Sequence, residues 1–104
     1  MKKVVALLLL VLCCASYGFS KVGGGDVLFS LKKGGNVTFS HENHVAGVGL
    51  SCTACHPTPY ITTGKHVRVS MADMQKGKSC GLCHNGKEAF SVKVKADCNR
   101  CHAR

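Results

Sequence analysis

Three pentapeptides in this chain carry the same reactive residue types at the same spacing: Cys52-Thr53-Ala54-Cys55-His56, Cys80-Gly81-Leu82-Cys83-His84 and Cys98-Asn99-Arg100-Cys101-His102. Each is C-x-x-C followed at once by histidine, the attachment signature of a c-type haem. The spacing has a mechanical reason. Two thiols three residues apart on one turn of chain can reach the two vinyl groups of a single porphyrin and form thioethers. The next residue then projects its imidazole under the iron as the proximal ligand. The motifs therefore predict three haem c groups, held by Cys52, Cys55, Cys80, Cys83, Cys98 and Cys101, with His56, His84 and His102 on the irons. The third motif stands two residues before the last, Arg104, where packing alone leaves a chain frayed. Two thioethers and an iron bond are expected to hold it there.

Two other chemistries use this residue set. Zinc knuckles need two C-x-x-C units per metal, so three units leave one unmatched and give the following histidine no role. Three disulfides would suit an exported chain. Bridges within C-x-x-C close very short loops, however, and would staple little of the protein. Haem uses every one of these residues.

Three histidines remain, His41, His44 and His66, one for each iron. A histidine standing alone is ordinarily a surface or hydrogen-bonded residue, but here the count predicts a distal imidazole on each haem. His41 and His44 are three apart in Phe39-Ser40-His41-Glu42-Asn43-His44. On a helical turn they share a face and can serve two neighbouring haems from one short element.

The elements that must position these groups are sparse. Met1-Lys2-Lys3, an apolar run from Val4 to Cys14 and the small residues that follow read as a secretory signal peptide, residues 1–20, with cleavage between Ala15 and Ser20. The run falls short of the roughly 20 apolar residues of a membrane span. A lipid anchor at Cys13 or Cys14 would want a small residue directly before it, but Leu12 precedes Cys13 and Cys13 precedes Cys14. Residues 21–104 form the haem domain, with no Trp and many Gly. Val27 to Leu31 and Asn36 to Ser40 alternate apolar and polar residues around Lys32-Lys33-Gly34-Gly35, which predicts an antiparallel hairpin. Ser70 is placed to cap a short helix from Met71 to Lys76, with Asp73 in its first turn and Gly77 at its end. Pro57 and Pro59 keep the chain off a helix after His56. The expected fold class is a small α+β protein with little regular secondary structure, an N-terminal β-hairpin plus short helices around a haem core. Roughly 28 residues wrap each haem, which predicts exposed haem edges, low potentials and no fold without haem.

The sequence resembles the small periplasmic trihaem cytochromes of the c7 type, a branch of the class III multihaem cytochromes. The resemblance is carried by Phe39 to His44, by the three C-x-x-C-H motifs and by Lys76 to Val92. It implies that His41 pairs with His56 and His44 with His84, that the haems stack in van der Waals contact, and that a short hairpin leads the domain. For the third iron the resemblance points to the segment before the second motif, which supplies His in some members and Met in others. Here that segment offers Met71 and Met74 but no histidine, with His66 a few residues upstream. His66 and Met71 both stand as candidates, and a thioether ligand would raise the haem potential relative to two imidazoles.

The formal charge is +9, of which Lys2 and Lys3 supply two, leaving +7 on residues 21–104. Export and the lack of interleaved aromatic and basic residues argue against nucleic acid as the partner. Lys76, Lys78, Lys87, Lys93 and Lys95 are candidates for a docking face toward acidic redox partners. The function these residues predict is electron transfer in the periplasm or at the cell surface, and the resemblance to the c7 cytochromes implies that the cell is an anaerobically respiring bacterium. The predicted partners are a quinol-oxidising inner-membrane cytochrome on one side and outer-membrane or terminal reductases on the other. An alternative is self-assembly into an extracellular cytochrome filament. Catalysis is not expected, because saturated irons leave no open position and the five carboxylates, Asp26, Glu42, Asp73, Glu88 and Asp97, form no acid–base constellation.

Overall fold

The computed structural model describes residues 1–14, 18, 20–60 and 67–103. Helix α1, Lys2–Cys14, carries the apolar leader run, and Val4, Leu7, Leu8, Leu9 and Leu10 on it are all exposed. Among the described residues no helix is long and apolar enough to cross a membrane.

The hairpin forms between β1, Val27–Phe29, and β2, Val37–Phe39, antiparallel, with Val27 opposite Phe39 and Phe29 opposite Val37. It is shorter than the alternation predicts. The Leu31 amide donates to the Asn36 side-chain oxygen at 3.2 Å, so the ends of the connecting loop are closed by a side chain and not by further ladder bonds. Gly34 and Gly35 both sit at positive φ, +87° and +80°, conformations that glycine adopts without a Cβ penalty.

The chain after β2 turns through a π-helical segment, Glu42–Gly47, preceded by His41. The short helix after Ser70 is α2, Met71–Gln75. Its cap is the predicted one: the Asp73 amide donates to the Ser70 hydroxyl oxygen at 3.1 Å, and that hydroxyl donates to the Asp73 carboxylate at 2.9 Å. Gly77 at φ +94° ends the element. After His56, turns carry the chain through Pro57 and Pro59 to Tyr60.

Each C-x-x-C-H motif closes as one helical turn. The first includes the 3₁₀ turn Cys52–Ala54, the second the 3₁₀ turn Ser79–Leu82, and the third is α3, Cys98–Cys101. In all three, the histidine amide donates to the carbonyl of the first cysteine at 2.9 Å. That bond sets the two thiols and the imidazole on a single turn. The third motif returns to the hairpin, where Val37 bridges His102 and the Ala103 amide donates to the Asn36 carbonyl at 2.9 Å. Among the described residues no hydrophobic side chain is fully buried. Such a chain cannot draw its stability from side-chain packing alone.

Candidate haem sites

All five described histidines are half-buried and held in the same way. His41 Nδ1 lies 2.6 Å from the Gly25 carbonyl, His44 Nδ1 2.8 Å from Ser40, His56 Nδ1 2.9 Å from Tyr60, His84 Nδ1 3.0 Å from Phe90, and His102 Nδ1 3.3 Å from Gly35. A carbonyl can only accept, so Nδ1 is the donor in each contact and Nε2 is the nitrogen left to bind a metal. This is the arrangement by which metal-ligating imidazoles are oriented and made more basic. His66 lies outside the described residues.

The rings of His44 and His84 are neighbours in an edge-on arrangement, with centroids 6.2 Å apart and planes at 68°. Two imidazoles on opposite sides of one metal ion, with bonds of about 2.0–2.1 Å, hold their centroids roughly 6 Å apart. The spacing fits a shared iron. Phe39 stands against both N-terminal histidines, 4.4 Å from the His44 ring at a tilt of 31° and 5.1 Å from His41 edge-on. It buttresses the two rings on the short turn. Phe90 does the same for His84 at 4.4 Å, and the Arg100 guanidinium lies over Phe90 at 4.8 Å while its Nε binds Asp97 at 2.8 Å.

His41 has a second constraint. A Cβ on Gly23 would meet the His41 ring at 2.5–2.9 Å, and Gly23 lies at φ +61°. The Val22-Gly23-Gly24-Gly25 turn therefore approaches the imidazole as only glycine can, and then offers the Gly25 carbonyl to its Nδ1.

The cysteines occupy neighbouring ground. Burial is the main cause that pushes the Cys55 thiol upward, with Cys83 and then Cys52 adding to it. Burial likewise raises Cys101, with Cys80 and then Cys98 adding to it. The second motif thus lies within electrostatic reach of one cysteine from each of the others. Among the described residues, no three His, Cys, Asp or Glu side chains converge as a site for a bare ion. Thiol pairs on helical turns, backed by oriented imidazoles, fit a porphyrin.

Met71 opens α2 and is 39% exposed, while Met74 is half-buried. The Met74 carbonyl lies directly against Gly81 of the second motif, where any Cβ would overlap it. Tyr60, which sequence reasoning did not single out, spans two motifs: its carbonyl serves His56, and its hydroxyl reaches Ser79 Oγ at 3.2 Å and Cys80 Sγ at 3.6 Å. Burial holds its phenol well above the usual range. The glycine turn was also missed, and Phe39 was read as part of the His41–His44 stretch but not as the support of its two rings. Three consecutive glycines and a phenylalanine beside the His pair were the only signals available for them.

A two-stranded hairpin, short helices and three C-x-x-C-H turns backed by oriented imidazoles define a small multihaem c-type cytochrome. The family described as cytochrome c7 and related cytochrome c matches residues 37–103, and the chain belongs to it. The chain is similar to a solved c7-type three-haem cytochrome domain at 44% identity and a TM-score of 0.67, covering 75% of this chain and 91% of that one. It is also similar to the C-terminal hexahaem fragment of GSU1996, at 44% identity and a TM-score of 0.68, covering 75% of this chain and 47% of the fragment. The dodecahaem cytochrome c GSU1996 matches at 43% identity and a TM-score of 0.67, with 76% of this chain covering 24% of that protein. The chain therefore spans about half of the hexahaem fragment and a quarter of the dodecahaem protein. No curated protein matches it. The protein carries three c-type haems and transfers electrons, as cytochromes of the c7 family do.

Proposed function

We propose that Cys52 with Cys55, Cys80 with Cys83, and Cys98 with Cys101 each hold one haem through thioethers, and that His56, His84 and His102 are the proximal ligands. His41 serves the first iron and His44 the second. The third takes its distal ligand from His66 or Met71. The observation that carries this reading is the common tethering of five imidazoles through Nδ1 to main-chain carbonyls, which leaves every Nε2 available. The 6.2 Å separation of the His44 and His84 rings supports their pairing on one iron.

Once bound, the haems supply three irons that each exchange one electron. The protein's part would be to hold each iron between two side chains, His41 with His56, His44 with His84, and His102 with His66 or Met71. Two axial side chains per iron leave no place for a substrate, so we read the chain as a carrier and not an enzyme. Three carboxylates serve structural contacts: Asp73 binds Ser70 and Lys78, Asp97 binds Arg100, and Glu88 accepts from Asn85.

Residues 1–20 serve as the export signal, which places residues 21–104 in the periplasm or at the cell surface. The exposed apolar length of α1 supports this assignment. Electrons arrive from a quinol-oxidising inner-membrane cytochrome and leave to outer-membrane or terminal reductases. Lys76, Lys87, Lys93 and Lys95, all exposed, together with Lys78, which pairs with Asp73 at 3.6 Å, offer a cationic face to acidic partners.

The assignment is tested by replacing one motif's cysteines at a time and measuring intact mass. Cys80→Ser with Cys83→Ser is expected to leave two haems on the chain. A variant that still carries three would refute it.

A further inference from the structure

Tyr60 stands between the first and second haem sites. Its amide donates to the Cys55 carbonyl at 3.0 Å and its own carbonyl accepts from His56 Nδ1 at 2.9 Å, which fastens it to the first motif. Its hydroxyl reaches the second motif, where it donates to Cys80 Sγ at 3.6 Å and lies 3.2 Å from Ser79 Oγ. Ser79 sits at φ +53°, in the left-handed region that a residue with a Cβ rarely occupies. In that conformation its hydroxyl lies near both the Tyr60 oxygen and, at 3.9 Å, the same sulfur. A strained residue kept beside a cofactor-binding cysteine is a pointer to function. Here the strain serves a two-hydroxyl cluster gathered on one sulfur.

We propose that Tyr60 is a positioning residue that ties the first haem site to the second and raises the reduction potential of the haem held by Cys80 and Cys83. The inference rests on the assignment of Cys80 as a thioether donor. A thioether sulfur remains a weak hydrogen-bond acceptor. An O–H donated to it draws electron density away from the macrocycle and favours the ferrous over the ferric state. Hydrogen bonds and burial around a haem are levers on its potential. Because the carbonyl of the same residue orients His56, one side chain registers the two sites against each other without touching either iron.

The assignment of Cys80 is tested separately, by the haem count of the cysteine variant above. The inference itself is tested in the haem-loaded protein by Tyr60→Phe, which keeps the ring and the carbonyl and removes only the hydroxyl. Each haem is followed through a redox titration by its own proton resonances. At a fixed ambient potential the ferrous-to-ferric ratio of the second haem should fall about threefold, a shift of about 28 mV for a one-electron couple. The other two haems should keep their midpoints, and the low-spin spectrum should not change. Ser79→Ala, which removes the hydroxyl that steadies Tyr60, should lower the same haem by a smaller amount. Unchanged midpoints in Tyr60→Phe, or three haems shifting together, would overturn the proposal, as would a rise at the second haem in Ser79→Ala.

Discussion

Gly23→Ala is the sharpest perturbation of a distal ligand that leaves the ligand itself in place. The new Cβ would stand 2.5 Å from His41 Cδ2, 2.6 Å from Cγ and 2.9 Å from Nε2, against ordinary contact from 3.4 Å. The ring must therefore retreat by about 0.9 Å, or the glycine turn must shift by as much. A metal–imidazole bond of about 2.0–2.1 Å does not survive a displacement of that size. Shifting the turn instead would carry the Gly25 carbonyl away from His41 Nδ1 and free the ring to rotate. Alanine at φ +61° adds about 1–2 kcal/mol of backbone strain. Gly24→Ala is the matched control. It has a similar penalty at φ +81° but meets nothing within 4 Å. The assay is the visible spectrum of the reduced, fully haem-loaded protein before and after carbon monoxide. Gly23→Ala should bind the gas at about one haem in three, while Gly24→Ala loses stability alone. A Gly23→Ala protein that stays low spin and inert to carbon monoxide would refute the assignment of His41 and the role given to the glycine turn.

Other outcomes follow from the same contacts. Gly81→Ala puts a methyl group into the Met74 carbonyl, so α2 must lift from the second motif, and thermal melting of the haem-loaded protein should show a loss of roughly 1–3 kcal/mol. An unchanged midpoint would mean that α2 is not docked there. Burial raises the Tyr60 phenol above its ordinary value of 10.0, so the folded chain binds that proton more tightly than the unfolded one. Its contribution to stability is then complete below pH 10 and lost as the pH climbs through the folded value. Tyr60 is the one tyrosine in residues 21–104, so in a protein of those residues its ultraviolet tyrosinate band should appear above pH 10 and vanish in Tyr60→Phe. Chain made in cells that cannot attach haem should give a coil-like far-ultraviolet circular dichroism spectrum, because the described residues include no buried hydrophobic core. A folded spectrum would contradict that.

The local chemistry was legible in the sequence because its spacing is local. C-x-x-C-H closes within one turn, and all three copies make the same amide bond from histidine to the first cysteine. Ser70 and Asp73 likewise announced the start of α2. The hairpin was legible in kind but not in length, since a side chain, Asn36, takes over where ladder bonds were expected. What the sequence did not show are the supports drawn from distant positions. His102 binds the Gly35 carbonyl 67 residues away, and His41 binds Gly25 16 residues away. No periodicity records such contacts. The Lys32-Lys33-Gly34-Gly35 segment read only as a hairpin turn and the glycine run at 23–25 drew no reading, yet their carbonyls orient two of the imidazoles. Tyr60 was hidden for a similar reason. Its value lies in joining two motifs that only folding brings together.

The central claim is that this chain holds three haems whose irons are capped on both sides by its own side chains. The measurement that tests it most directly is the visible spectrum of the dithionite-reduced wild-type protein before and after carbon monoxide. The predicted result is a low-spin c-type spectrum that the gas leaves unmoved. A shift in a third or more of the haem would mean an open iron and contradict the account, and no haem spectrum at all, in cells able to attach haem, would contradict it entirely.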